Sequence, residues 1–508
     1  MNFLAITLAL PLIGFFCLLL LPRHSKISAI ALAATVLTFL ASWGLIAPVR
    51  SSTAQFTSSI NSLWIYSPGF QVHFHLGIDG INLWLILLTT LLAPIAVWIS
   101  RSMITERQRN FLALLLLFEF GLIGVFSALD LFAFYVFWEI ALVPMYLMVG
   151  FWGGQRRGHA AVKFFVYTMA GSVMMLGSII YLHSQTGTFD YVEILNGIAS
   201  GRVMLSSHQQ LLLFLGFFAA FAVKVPIFPL HTWLPNTYAE APMPATFLLA
   251  AAMSKMGAYG LIRYCLPLFP AAAQRCAGWI AVLAIIGILY GALLALIQPN
   301  IKRLIAFSSL SHLGFVVLGI FTFSQQGADG AVYQMIAHGI STGALFLIAG
   351  YLEQRRGSLE IADLGGIATP APGLATAFLI ALLASIGLPS LCNFIGEYLI
   401  LQGAALTKFS WAAWAALGVI LSAAYMLWMY QRTFWGKSSD QKHVIPDLTF
   451  RDWVPLLPLI VLMVWLGSYT QSFMPPISAA TARILDQTSM SNEYRVDLIL
   501  PGTTEFPR

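Results

Sequence analysis

The sequence predicts an all-α polytopic membrane protein of about 14 transmembrane helices, built as two inverted five-helix repeats, spans 4–8 and 9–13, with spans 7 and 12 broken. Three observations carry that prediction. The 508 residues are 59% hydrophobic and only 9% charged, and a mean hydropathy of +0.82 lies far from that of soluble domains. A window of about 19 residues then finds apolar spans near 3–22, 27–47, 78–100, 110–129, 131–152, 161–183, 209–230, 244–264, 276–297, 303–322, 331–352, 372–407, 410–434 and 453–473. Finally, the basic residues between those spans fall mostly on one side.

The first span has no basic region before it and no small-residue cleavage pattern, and Pro22, Arg23 and Lys26 follow it. It reads as a retained anchor and not as a signal peptide. The stretch 48–77 is Ser-rich, with His73 and His75 near its end, and is expected to be a loop on the outer side. The tail after Pro475 is short and polar, so neither segment can house a soluble enzyme domain. Cys17, Cys265, Cys276 and Cys392 sit in or beside different spans without CxxC spacing, which argues against a disulfide framework or an iron–sulfur site. The net charge of +6 mostly reports loop composition.

Loops after odd-numbered spans hold sixteen of the 26 lysines and arginines, among them Lys26, Arg355, Arg356, Lys437 and Lys442, whereas loops after even-numbered spans hold five, including Arg263 and Lys408. Three more lie in the tail, Arg508 last, and the two left over are Lys224 and Lys255, inside spans. The positive-inside bias puts the odd loops in the cytoplasm and both termini on the opposite, periplasmic side.

Span 7 is interrupted by Pro226 and Pro229, and the long span 12 by Gly387-Leu388-Pro389. Being five apart, the two enter the membrane from opposite faces, as an inverted repeat requires, and matching discontinuous helices point to a transport site. The expected organisation is a single membrane domain, 1–508. Within it, 1–105 holds spans 1–3, 106–265 the first repeat, 266–435 the second, and 436–508 the last span and tail.

An ionisable side chain at the centre of a membrane helix costs about 2.5–3.5 kcal/mol on insertion scales and marks an ion or proton path. The spans contain Glu119, Glu139 and Glu397, Lys224 and Lys255, with His312 and His338 as neutral candidates beside them. Burial shifts a lysine down and a glutamate up by as much as about 3–5 pKa units, and an opposite charge within reach reverses the shift. A Glu–Lys pair that opens and closes therefore has a switchable proton affinity, and histidines pass protons between such sites. Each residue also has a plainer reading. A lysine near a helix end snorkels, Glu119 alone can be a protonated packing group, His312 and His338 can be satisfied interior histidines, His231 suits a span end, and Trp138, Trp152 and Trp233 are ordinary packing or belt residues.

FYVFWEIALVPMY around Glu139, AVKVPIFPLHTWLP around Lys224, SKMGAYGLIRY from Ser254, IKRLIAFSSLSHLGF, QMIAHGIS, NFIGEYLI and the earlier GIDGINL occur in this order along nearly the whole chain. The set resembles the antiporter-like membrane subunits of respiratory NADH:quinone oxidoreductase, complex I. A carboxylate at 397 looks like the branch of chain M, or mitochondrial chain 4, since the sister chains L and N usually carry lysine there. The resemblance implies proton translocation coupled to electron transfer from NADH to quinone. In it Glu139 and Lys224 form the modulating pair, Lys255 the central relay, His312 and His338 the links, and Glu397 the exit group. It also implies that this chain is a translocase subunit without a redox centre, that flavin, iron–sulfur clusters and quinone belong to partner subunits, that chains L and N are neighbours, and that the site is a bacterial inner membrane. The chain departs from the family where Asn236-Thr237-Tyr238 and Ala239-Glu240-Ala241-Pro242-Met243 replace the usual Asp-Ala-His and Ala-Pro-Thr. The alternative readings are a subunit of a multisubunit sodium/proton antiporter or membrane-bound hydrogenase, and a scaffold whose buried charges only fix packing.

Overall fold

The computed structural model describes residues 2–20, 26–52, 54–435 and 445–499, with side chains as far as residue 489. Arg23, Lys437, Lys442 and Arg508, used in the charge partition, lie outside the described residues. Twelve helices are long and apolar enough to cross a membrane. They are α1 (Phe3–Leu20), α2 (Ile27–Ser51), α3 (Asn82–Met103), α4 (Gln108–Ser127), α5 (Leu131–Trp152), α6 (Arg157–Thr186), α10 (Met243–Leu268), α11 (Pro270–Leu296), α12 (Ile301–Ile320), α13 (Gln325–Arg356), α16 (Phe409–Trp435) and α17 (Phe450–Ser468). The expected figure of about 14 included spans 7 and 12, and these are the two that length and composition do not count. Both are interrupted. Span 7 is α8 (Ser207–Lys224), which stops at Lys224 ahead of Pro226 and is followed by the short α9 (Leu234–Glu240). Span 12 is divided into α14 (Pro372–Ser385) and α15 (Cys392–Thr407). Proline cannot donate to the helical ladder, and Gly387, at φ +77°, takes the left-handed conformation that only glycine adopts without strain.

Two non-helical signals repeat along the chain. The Asp130 carboxylate caps α5 by accepting from Phe132 N and Ala133 N at 2.9 and 3.0 Å, and its backbone pairs with Asp190, just ahead of the short α7 (Tyr191–Ala199). Asn300 caps α12 in the same way, from Lys302 N and Arg303 N, and its backbone pairs with Glu360. Asp130 and Asn300 are as far apart in sequence as Asp190 and Glu360. These are equivalent points of spans 5 and 10, so the correspondence of the two halves is visible in backbone pairing where sequence identity is faint.

The segment expected to be a Ser-rich loop is instead an antiparallel hairpin, β1 (Thr57–Ser67) and β2 (Phe70–Ile78). Its turn is Pro68-Gly69, the residue pair a type II turn selects. The polar tail is also ordered: α18 (Met474–Ile499) lies against the N-terminal end of α13, where Asp329 accepts from Ser478 and Thr481 and Gln325 donates to Ser478 O at 3.1 Å. Arg263, assigned to a loop by the charge partition, and Lys302, counted with the loop after span 9, are both inside the protein. Arg263 is fully buried on α10 and ion-paired with Asp79 of the GIDGINL turn. Lys302 is buried in the first turn of α12, donating to Ala241 O at 2.6 Å.

Burial is graded from the middle of the bundle outward. The most apolar stretches of α10 and α13 are wholly buried and that of α12 is 94% buried, whereas those of α2, α6, α16 and α17 are about one-third buried or less. The inner helices are therefore surrounded by the chain's own outer helices, and they carry Lys255, His338 and His312.

Candidate functional site

Lys255 lies between two π-helical turns of α10, Leu249–Met253 and Leu261–Cys265. Widened turns of this kind occur mostly at functional positions, because they release backbone groups from the i→i−4 ladder. Here the Ala250 carbonyl accepts from Ser254 Oγ at 2.8 Å and from Lys255 Nζ at 2.7 Å. The ammonium is thereby held pointing back along its own helix, and it also meets Ser254 Oγ at 3.1 Å and His338 Nδ1 at 2.8 Å.

From His338 the row continues through α12 to the second half of the broken span. The rings of His338 and His312 have centroids 6.0 Å apart, and His312 Nδ1 lies 2.8 Å from Glu397 Oε1. Gln334 Nε2 donates to the same oxygen at 3.0 Å. Every member is buried, Lys255 and His338 completely. The Nε2 atoms of both histidines have no hydrogen-bond partner among the described residues. One line of groups, Lys255, His338, His312 and Glu397, thus joins a lysine to a carboxylate through two imidazoles.

Eight residues of unbroken helix at 1.5 Å each would carry Glu397 about 12 Å beyond Pro389. Residues 387–391 are not helical, however, and the rise applies only from Cys392 onward. Helical side chains also lean toward the N-terminus, so the carboxylate returns to the break. A Cβ at Gly387 would stand 2.9 Å from Glu397 Oε2.

The other expected residues form a second, looser group. Lys224 ends α8, buried, with Nζ 5.3 Å from the Trp138 ring centroid and 5.5 Å from that of Phe164. Trp138 is the neighbour of Glu139, so an aromatic expected to be packing is part of the lysine's surroundings. Glu139 and Lys224 are not in direct contact: Lys224 Nζ and Glu139 Oε1 both lack hydrogen-bond partners among the described residues. Their charges are near enough to act on each other. Glu119 on α4 is buried, and among the described residues both its carboxylate oxygens are unpartnered and it joins neither group directly. His231 stacks on Phe228, centroids 5.6 Å apart, in the linker after the break. α8 packs directly on α10, which brings the Lys224 group alongside the Lys255 row.

Sequence reasoning passed over three buried polar features. The first is Arg263 with Asp79, Tyr259 and Tyr191 near the hairpin end. The second is Lys302 beneath the altered loop, where Tyr238 is buried with its hydroxyl 3.3 Å from Leu249 O and Glu240 accepts from Arg156 N at 2.9 Å. The third is Gln334, one helical turn before His338. Arg263 could have been found from its apolar neighbours in YGLIRYC, since a solvent-facing loop would not hold them. Among the described residues no cluster of three or more metal-ligating side chains occurs.

Comparison with known proteins fits this arrangement. The family described as NADH:quinone oxidoreductase/Mrp antiporter, transmembrane, matches residues 128–423. The NADH-quinone oxidoreductase subunit M of Rhodobacter capsulatus is 39% identical over 98% of both chains. The NADH-ubiquinone oxidoreductase chain 4 of Arabidopsis thaliana is 38% identical over 94% of this chain and 95% of that one. Among solved structures, a chain of respiratory complex I from Thermus thermophilus with bound NADH superposes with a TM-score of 0.86 at 34% identity, covering 96% of this chain and 100% of that one. A chain of the membrane-bound sulfane sulfur reductase, an archaeal respiratory membrane complex, gives 0.82 at 25% identity, over 91% and 75%. With the matched segment taking in every group of the buried row and the subunit M and chain 4 relatives running the full length, this chain belongs to the family of antiporter-like membrane subunits of NADH:quinone oxidoreductase.

Proposed function

We propose that the chain is the M-type proton-translocating membrane subunit of an NADH:quinone oxidoreductase and that protons pass along the buried row Lys255, His338, His312 and Glu397. The carrying observation is the alignment of that row: two 2.8 Å hydrogen bonds flank one pair of imidazoles whose centroids are 6.0 Å apart, on the most deeply buried helices. Lys255 holds a proton against its carbonyl and hydroxyl neighbours, His338 and His312 accept and release it at opposite ring nitrogens, and Glu397 takes it up at the broken helix. Glu139 and Lys224 modulate loading: with no direct bond between them, a small movement changes the charge each feels without breaking a packed contact. Glu119 is a weaker candidate for the same line.

Electron transfer from NADH to quinone belongs to partner subunits holding flavin, iron–sulfur clusters and quinone, and this chain contributes no cofactor. The antiporter-like sister chains L and N are the expected neighbours, and the exposed Leu63, Trp64 and Tyr66 of the hairpin give such a neighbour an apolar foothold. The location is a bacterial inner membrane with both termini on the periplasmic side. The two repeats run over 106–265 and 266–435.

Replacement of His338 by Phe in the complete oxidoreductase tests the reading. Inverted vesicles should keep the assembled complex but lose most proton uptake per NADH oxidised. Uptake at the parental ratio would remove the row from the pathway.

A further inference from the structure

An apolar cleft of about 320 Å³ opens between α2, α3, α13 and α17. On α2 its wall is Phe39, Trp43, Ile46 and Arg50, one helical face. From Phe39 to Arg50 is eleven residues, about 16 Å of helix at 1.5 Å each. The hydrocarbon core of a bilayer is about 30 Å thick, so the cleft has the depth of one leaflet. At its Arg50 end it meets a polar pocket of about 410 Å³ that Arg50 also lines, together with Arg483 of α18.

Those two guanidiniums are underused. Arg50 donates to Ser472 O and Arg483 to Ala54 O at 2.9 Å, and neither forms an ion pair among the described residues, which leaves most of their ten N–H donors available. The one carboxylate lining the pocket, Asp79, is already neutralised by Arg263. An apolar slot one leaflet deep and two underused arginines at its mouth match the acyl chain and the phosphate of a glycerophospholipid.

We propose that this composite cleft is a binding site for one anionic phospholipid, its acyl chain beside Phe39 and Trp43, and its phosphate between Arg50 and Arg483. The site is separate from the buried row; on the orientation proposed above it opens to the outer leaflet. A zwitterionic lipid would place its own cation against the two arginines, so selectivity for negative headgroups is expected.

The test uses the intact oxidoreductase, purified in mild detergent with and without the double substitution R50Q/R483Q, and counts tightly held lipids by native mass spectrometry. The double variant should lose one anionic phospholipid per complex, keep its zwitterionic lipids and keep its NADH oxidation rate. Adding phosphatidylglycerol should refill the site in the parental complex, and neither phosphatidylcholine nor inorganic phosphate should displace it. The proposal is overturned by an unchanged anionic count, by equal loss of both lipid classes, or by displacement with inorganic phosphate. Dissociation of a neighbouring subunit with the lipid count unchanged would also overturn it and assign the face to that subunit.

Discussion

At the level of single residues, the chain's most individual choice is a carboxylate at 397. Glu397 Oε1 receives His312 and Gln334, contacts that Gln could reproduce in part while losing the ability to exchange a proton. Glu397→Gln should therefore assemble and yet lower proton pumping by about a hundredfold or more, the low end of what a positioned acid or base contributes. Glu397→Lys should keep substantial pumping, since an ammonium also exchanges a proton with its neighbours. Pumping by the Gln variant at the parental rate, measured in reconstituted vesicles at matched electron transfer, would make Glu397 a packing residue. Lys224→Met should likewise slow pumping without loss of fold, because the Nζ atom has no hydrogen bond to lose among the described residues. The identities of these residues were readable in the sequence, for charge inside an apolar run is conspicuous. Their partners were not: Lys255 meets His338 across 83 residues and His312 meets Glu397 across 85. Arg263 was misplaced for a related reason, as its counter-charge, Asp79, is 184 residues away and no local pattern announces it.

At the level of elements, the broken spans were legible because proline and glycine cannot be hidden in a helix, whereas the extent of each break was not. Gly387 combines φ +77° with a near contact to Glu397. Gly387→Ala should cost about 1–2 kcal/mol for the left-handed backbone and push the carboxylate aside, so thermal stability and pumping should fall together. The start of α14 has a cap supplied from far along the chain: Asp447 accepts from Gly373 N and Leu374 N, both at 2.8 Å. Partial burial alone would raise this carboxyl, but the backbone donors Gly373, Leu374 and Leu448, with Arg355 nearby, hold it below the ordinary carboxylate range. Its contribution is therefore complete above the unfolded value of about 3.9 and is lost as pH falls through the lower folded value. Asp447→Asn should destabilise the chain by about 1 kcal/mol near neutral pH, as helix caps do, and the difference between the two proteins should shrink below about pH 4. The hairpin was missed because Ser-rich composition masked the Pro68-Gly69 turn, and α18 because a polar helix has no membrane signature.

For the whole molecule, the orientation can be decided from two exposed lysines at opposite ends of the charge partition. In a background with Cys17 replaced, Lys26→Cys should react with an impermeant thiol reagent only from the cytoplasmic side, and Lys408→Cys only from the other. Reaction of both from one face would refute the proposed topology. The enclosure of α10, α12 and α13 by the remaining helices has an electrical consequence. A conductor inside an apolar jacket shares the membrane's voltage, and carrying one elementary charge across the full thickness against 100 mV requires about 2.3 kcal/mol. On the pathway proposed above, each proton step along the normal would be a fraction of that work, and the chain would behave as an insulated lead whose current is set by the field. A polar substitution on the outer wall, far from any titrating group, would open a shunt: the coupled machine would run hot, oxidising NADH at full speed while the voltage it should build leaks away.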